Sequence, residues 1–344
     1  MKKSPVNDIY YAVAHKPQDE LDAQKLRYEN FETSYIPKIF KDVLSLEVKD
    51  WKQATSYGTS HIIFFVRFKN SEKELILRTN TGFSDIPEAV MQVEKLVTDQ
   101  VAALGVPTNR ILHVDISRKT YPFDFQIQEV LEGKDLEDNY AGSKEAYDKM
   151  SFAIGTYVAT YQQLTYPLFG LFDKNAVAKN QLQGTKKTFY EYVTVKLDSD
   201  LEYLVKADVI SRNAAKQIAK LFEEHKPIIN IKQGSLLHHD LADHNIMFKN
   251  NRITGLFDWE NCCVGDPILD IASCPTWKSH YPREEKLIES YRSVVDLPEH
   301  FQEKKDIYLL RTMLWKMVFA IRSGILNDAR KQRFYTTLER FKLA

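Results

Sequence analysis

Residues 237–258 read LHHDLADHNIMFKNNRITGLFD. Asp240 stands two positions after His238, Asn245 comes five further on, and Asp258 closes the stretch. Residues 246–248 and 253–257 are short apolar runs. Asn250-Asn251 between them is a pair that tolerates the left-handed conformations of tight turns. The expected hairpin brings Asn245 and Asp258 to the same open end. An amide oxygen and a carboxylate oxygen placed together suit Mg²⁺, a hard cation that takes oxygen ligands and retains water and substrate phosphate. Asp240, on the loop leading in, is placed to take a proton from a substrate hydroxyl and orient it for attack.

An HxD triplet alone is common, and a loop aspartate is more often a turn or cap residue than a catalyst. The three-part pattern with a hairpin inside it is far more specific. It is the order in which kinases set a base, a metal-binding amide and a metal-binding carboxylate. From Asp258 the chain continues as DWENCCVGDPILDIAS. His238-His239-Asp240, Asn245, Asp258-Trp259, Gly265-Asp266-Pro267 and Asp270-Ile271-Ala272 together resemble the aminoglycoside phosphotransferase family, small-molecule kinases of the protein-kinase-like superfamily. His239 stands where that family has a small residue. Asp266 before Pro267 also reads as a helix N-cap with proline at the first helical position, and that structural role is favoured over a catalytic one.

Composition agrees with an intracellular enzyme, expected in the cytoplasm. The chain has 344 residues, enough for two lobes of ordinary size, and is 44% hydrophobic and 27% charged. Lys+Arg and Asp+Glu are 47 each, so no charge excess points to nucleic acid or a membrane surface. The N-terminal MKKSPVNDIYYAV lacks the apolar run of a signal peptide, and no apolar stretch is long enough to span a bilayer. Cys262, Cys263 and Cys274 make neither a disulfide framework nor a metal spacing.

The chain carries no repeats. Residues 1–45 read as a polar helical extension, 46–131 as a strand-rich nucleotide-binding lobe and 132–344 as a larger, mainly helical lobe. Residues 61–68 and 74–79 are β-branched or aromatic runs with a turn at 70–72. Residues 86–104 carry apolar positions at helical spacing, ended by Gly105-Val106-Pro107. Residues 111–114 and 123–131 complete a sheet. The expected fold is α+β: a protein-kinase-like, two-lobed arrangement with a small antiparallel sheet, one key helix and a helical C-lobe. The resemblance extends from about residue 50 to 325.

The resemblance implies the nucleotide side. Gly58 and Ser60, in the turn before the long strand, match the family's phosphate-covering loop, although Gly-Thr-Ser alone is ordinary turn chemistry. Arg78 occupies the strand position of the phosphate-binding lysine of protein kinases. Hygromycin- and macrolide-type members also carry arginine there, and its guanidinium forks onto two phosphate oxygens. Glu94 is the expected partner of Arg78, with Glu88 as its rival. The backbone of Glu129 and Leu131, in the linker 128–133, is implied to bind the base. For the acceptor, Glu191, Asp198, Asp200 and Glu202, with Glu260 and Trp277, suggest an acidic rim suited to a polycationic molecule; a solvated helix face is an equal reading.

The resulting expectation is an ATP- or GTP-dependent, Mg²⁺-dependent kinase of a small-molecule hydroxyl, with an aminoglycoside-like antibiotic as the first acceptor class. Asp240 acts as base, Asn245 and Asp258 hold metal, Arg78 and Glu94 hold phosphates, and His238 braces the loop. The alternatives are a metabolite kinase acting on an amino alcohol or sugar, and a catalytically silent nucleotide-binding protein. Oligomeric state stays open.

Overall fold

The structure, a computed structural model, describes residues 30–54, 61–80 and 89–343, together with Asp19, Leu26 and Glu29. Gly58, Ser60 and Glu88 lie outside the described residues. The first lobe begins with α1 (Tyr35–Leu44), followed by β1 (Val48–Gln53), β2 (His61–Phe68) and β3 (Ser71–Asn80). Then come α2 (Val90–Ala103), β4 (Ile111–Asp115) and β5 (Phe125–Glu129). The strands form one antiparallel sheet in the order β1-β2-β3-β5-β4.

Alternation along β2 sends Ile62, Phe64, Val66 and Phe68 to one face. They pack there with Leu75 and Leu77 of β3 and Phe125 and Ile127 of β5. Three consecutive apolar residues at 75–77 hide the facing of β3 in the sequence. Burial of Leu75 and Leu77 in this core turns Arg78 to the other face, where α2 carries Glu94. Helix α1 adds Ile36, Ile39 and Phe40, all fully buried against the same core. Their i, i+3, i+4 spacing is an amphipathic stripe, so this part of the 1–45 segment belongs to the packed lobe rather than being polar throughout.

The chain crosses to the second lobe through residues 130–133. Gly133 has φ +105°, and a Cβ there would collide with the carbonyl of Phe248. The second lobe contains β6 (Lys134–Asp135), α3 (Lys144–Tyr161), β7 (Thr165–Tyr166), β8 (Phe169–Phe172), β9 (Gly184–Lys186), α4 (Leu197–Lys206) and α5 (Arg212–Ile229). It continues with β10 (Gly234–Leu237), β11 (Ile246–Lys249), β12 (Arg252–Leu256), β13 (Cys263–Gly265) and α6 (Ile268–Ser273). Helices α7 (Glu284–Arg292), α8 (Phe301–Arg322) and α9 (Asp328–Glu339) complete it. Two sheets lie among these helices, ordered β12-β11-β6 and β7-β10-β13-β8-β9. The second is absent from the sequence reading, because strands of two to four residues show no usable period.

Helix α2 ties the lobes together. Its Val93, Val97 and Val101 share one apolar cluster with Ile253, Leu256 and Trp259 of the second lobe. Among the described residues, no helix is long and apolar enough to cross a membrane.

Candidate active site

Strand β10 is buried throughout and delivers the chain to His238. Asp270 of α6 then braces the loop: its two oxygens accept the backbone N–H groups of His238 at 2.9 Å and His239 at 2.8 Å. Tyr161 donates to the same carboxylate at 2.7 Å. His239 has φ +65°, so the chain turns sharply just before Asp240. His238 joins two loops: its Nδ1 accepts the Asp240 N–H at 3.3 Å, and its Nε2 donates to the Phe257 carbonyl at 3.0 Å. Those partners require the neutral tautomer protonated at Nε2. Burial favours it, lowering the His238 pKa to about 4.

A second brace lies below the loop. Asp243 accepts from Arg283 at 2.6 Å and from Tyr147 at 2.5 Å. Arg283 also donates to the Leu241 carbonyl. Asp243, Arg283 and Tyr147 carried no signal in the sequence, since their meeting depends on elements about 40 and 96 residues away. Asp266 is structural: it accepts from Ile268 N–H at 3.1 Å, Lys304 at 2.8 Å and Tyr308 at 3.0 Å.

The hairpin forms as its sequence suggests. Ile246 pairs with Leu256, and Asn250 and Asn251 have φ +52° and +57°. The N–H of Phe257 bonds the Asn245 carbonyl at 3.0 Å, which puts Asn245 and Asp258 at the open end. Asn245 donates its amide nitrogen to the Asp240 carbonyl at 2.9 Å, and this bond fixes which end of the amide is oxygen. Asp258 sits at φ +65°. The amide oxygen of Asn245 and the carboxylate of Asp258 are hard oxygen donors, and two such groups fit Mg²⁺ when substrate phosphates supply other ligands. Among the described residues, no group of three His, Cys, Asp or Glu side chains forms an all-protein metal cage.

Asp240 has a buried Oδ1 with no hydrogen-bond partner among the described residues. Burial raises its pKa, while His244 and Lys316 pull it back. Burial, with Glu260 nearby, raises Asp258 further.

Arg78 connects the sheet to this end of the hairpin. Its Nη1 meets Glu94 Oε2 at 2.5 Å; its Nη2 meets Asp258 Oδ1 at 2.8 Å and Glu260 Oε2 at 2.6 Å. His61 Nε2 reaches the same Glu260 oxygen at 2.6 Å. Burial opposes the charge on Arg78, but Glu94, Asp258 and Glu260 overcome it and hold the guanidinium more firmly protonated than usual. Gln126 also donates to Glu94, at 3.2 Å.

In the linker, Glu129 N–H bonds the Arg110 carbonyl at 2.9 Å. The Leu131 side chain lies directly over Gly255, where a Cβ would push its methyl groups aside. The Glu132 carbonyl accepts from Thr254 at 2.5 Å, tying the linker to the hairpin.

The expected acidic rim does not assemble. Asp200 is fully buried and paired with Arg311 at 2.9 Å. Glu191 closes a capping box on the short helix Phe189–Val193. Glu202 pairs with Lys206 at 2.7 Å one turn on, and Asp198 lies exposed in the first turn of α4. Glu260 faces Arg78 and His61 rather than an acceptor rim, because the single turn Trp259–Asn261 swings it towards the first lobe. Trp277 packs edge-on against His244 at 5.7 Å and lies under the Lys316 ammonium, 2.9 Å from the ring centre.

A two-lobed fold with the Asp240 loop, the Asn245–Asp258 hairpin and a buried cation–carboxylate pair is that of a protein-kinase-like phosphotransferase. The profile of the phosphotransferase enzyme family matches residues 58–292, and the chain belongs to that family. No curated protein matches it by sequence. Among solved structures, one similar to it is a thermostable mutant of aminoglycoside phosphotransferase APH(4)-Ia bound to AMP-PNP and hygromycin B. The TM-score is 0.65 at 18% identity, over 90% of this chain and 100% of that one. A provisionally assigned fructosamine-3-kinase from Thermobifida fusca gives 0.61 at 12%, over 88% and 98%. Macrolide 2'-phosphotransferase MphH from Brachybacterium faecium gives 0.59 at 14%, over 89% and 98%. At these identities the likeness is one of fold.

Proposed function

We propose that the protein transfers the γ-phosphate of ATP or GTP to a hydroxyl of a small molecule. The observation that carries this reading is the orphaned, buried Oδ1 of Asp240 beside Asn245, with Asp258 at the other side of the hairpin mouth. A buried carboxylate oxygen without a partner is costly unless a ligand supplies the donor, and an acceptor hydroxyl is such a donor. Asp240 takes the hydroxyl proton; the oxygen bonds to the γ-phosphorus, and the bond to the bridging β–γ oxygen breaks, releasing the diphosphate. Asn245 and Asp258 would hold Mg²⁺, which neutralises phosphate charge when bound. Arg78, fixed by Glu94, faces the phosphates from the first lobe.

The relatives of similar fold act on chemically different acceptors, so fold leaves the acceptor open. The aminoglycoside-like acceptor suggested by the carboxylates of 191–202 loses most of its basis, since Glu191 caps a helix, Glu202 pairs with Lys206 and Asp200 is buried against Arg311, leaving only Asp198 exposed. The test is an acceptor panel of amino sugars, macrolides, sugars, amino alcohols and hydroxy acids, incubated with Mg²⁺ and each nucleotide, with product mass measured. A gain of one phosphate on any member, lost in Asp240→Asn, supports the reading. Nucleotide binding with no product across the panel would instead favour a silent nucleotide-binding protein.

A further inference from the structure

Lys316, Arg330 and Arg333 are cations that the phosphoryl-transfer scheme does not use, and the charge of Asp240 reaches the first of them. Lys316, on α8, donates to the Thr276 hydroxyl at 2.6 Å and lies over the Trp277 ring. Trp277 in turn contacts His244, four residues after Asp240. Asp240 is the carboxylate whose charge acts most strongly on Lys316, yet the two do not form an ion pair. Arg333 and Arg330 of α9 also act on Lys316, and both disfavour its charge. Among the described residues, no carboxylate pairs with Lys316, Arg330 or Arg333; Arg330 bonds only the Ile325 carbonyl through its side chain. The Trp277 indole N–H is also buried and has no partner among the described residues.

On one side lies an acceptor oxygen without a donor, Asp240 Oδ1; on the other lie the Trp277 N–H, a donor without an acceptor, and the Lys316 ammonium, whose hydrogen bonds among the described residues go only to the neutral oxygens of Thr276. A ligand that offers a hydroxyl to the first and an anion to the second satisfies both. A polycationic ligand satisfies the first and adds repulsion at the second. Burial drives the Lys316 pKa well below that of an ordinary lysine, and an anion alongside reverses that penalty.

We propose that Lys316, aided by Trp277 and Arg333, selects an acceptor that carries a carboxylate as well as the hydroxyl to be phosphorylated. The inference rests on the kinase reading above, because that reading makes Asp240 the hydroxyl-binding end. Lys316 is a specificity residue, since it contacts the part of the acceptor that does not react. Its contribution belongs to acceptor binding, which sets kcat/KM between matched acceptors.

The test uses full-length protein and three matched probe pairs: glycerate and glyceramide, gluconate and glucose, serine and serinamide. Binding of each probe is measured by calorimetry without nucleotide, and product formation by mass with MgATP. The expected result is an acid favoured about tenfold or more over its neutral partner, as expected for a desolvated charge–charge contact. Lys316→Met should remove that preference by weakening the acid and leave the neutral partner within about twofold. Arg333→Gln should lower the preference partially. Equal binding of both members, binding of neither, or an equal loss for both in Lys316→Met would overturn the proposal; the last outcome identifies Lys316 as a packing residue only. The kinase reading is judged separately on the same samples. Acid-selective binding that depends on Lys316, without MgATP binding or product, upholds the anion site and sinks the kinase reading. Product on the neutral acceptors alone does the reverse.

Discussion

Removing Arg78 should cost the protein far more than removing Glu94, although the two are partners. Both are buried, at 6% and 1% exposure. Breaking a buried pair by deleting one member costs about 3–5 kcal/mol, because the other charge is left uncompensated. Arg78→Met leaves three carboxylates facing one another, Glu94, Asp258 and Glu260, so the loss belongs at the upper end, about 5 kcal/mol. Glu94→Gln leaves Arg78 with Asp258 and Glu260, so it forfeits about 2 kcal/mol, the worth of one charged hydrogen bond. The double variant Arg78→Met/Glu94→Gln should lose less than the sum, with a coupling of about 0.5–3 kcal/mol. Urea unfolding midpoints at constant m-value measure stability, and MgATP titration of the same variants measures the phosphate role. Arg78→Lys should be intermediate, since it restores charge but not the fork that reaches Glu94 and Asp258 together. Equal losses in the two single variants, with the double variant additive to within about 0.5 kcal/mol, would refute the shared-cation argument.

Asp240→Asn should lower turnover by about 10²–10⁴ while MgATP still binds, and turnover within about threefold of wild type would remove Asp240 from the mechanism. The same change should raise thermal stability. The folded pKa of Asp240 is raised, so the native state gains stability as pH falls through that value, and the Asn variant should lose this dependence. Asp258→Ala should weaken MgATP more than Asn245→Ala does, because a carboxylate neutralises metal charge and an amide supplies only a dipole; titrations with and without Mg²⁺ distinguish them. His238 has the opposite linkage to Asp240. Its folded pKa lies near 4 against 6.5 unfolded, so its stability is complete above pH 6.5 and is lost as pH falls towards 4. At 1.36 kcal/mol per unit the loss approaches about 3 kcal/mol, and His238→Gln should flatten that limb in unfolding curves measured from pH 7 to 4. An unchanged limb would show that His238 charges freely in the native state.

Legibility follows chain distance. Asp240, Asn245 and Asp258 lie on one loop and one hairpin, so turn chemistry at Asn250-Asn251 and two apolar runs suffice to place them. The partners that hold the loop rigid come from far away: Asp270 and Tyr161 through α6 and α3, Arg283 from the start of α7. No local period or propensity marks a residue for a partner 40 or 109 positions distant. Arg78 and Glu94 are intermediate. Their strand and helix are readable from periodicity, but the facing of Arg78 depends on which of Leu75, Ile76 and Leu77 enters the core, and that is settled only when the whole sheet packs.

The acceptor side shows the same limit acting on charge. A count of carboxylates over 191–202 measures formal charge along the chain, whereas a ligand feels the charges left uncompensated where it binds. Asp200 is cancelled by Arg311, Glu202 by Lys206, and Glu191 is spent on a helix N-terminus. Lys316 and Arg333 sit in a helical stretch of mixed charge that draws no attention in the sequence. Yet they remain without carboxylate partners among the described residues, and Lys316 is the one that senses Asp240. Screening leaves exposed pairs nearly silent and desolvation amplifies buried charges, so Lys316 over the Trp277 ring outweighs the longer acidic run. The sign of the acceptor pocket is therefore set by groups that only folding brings beside the base.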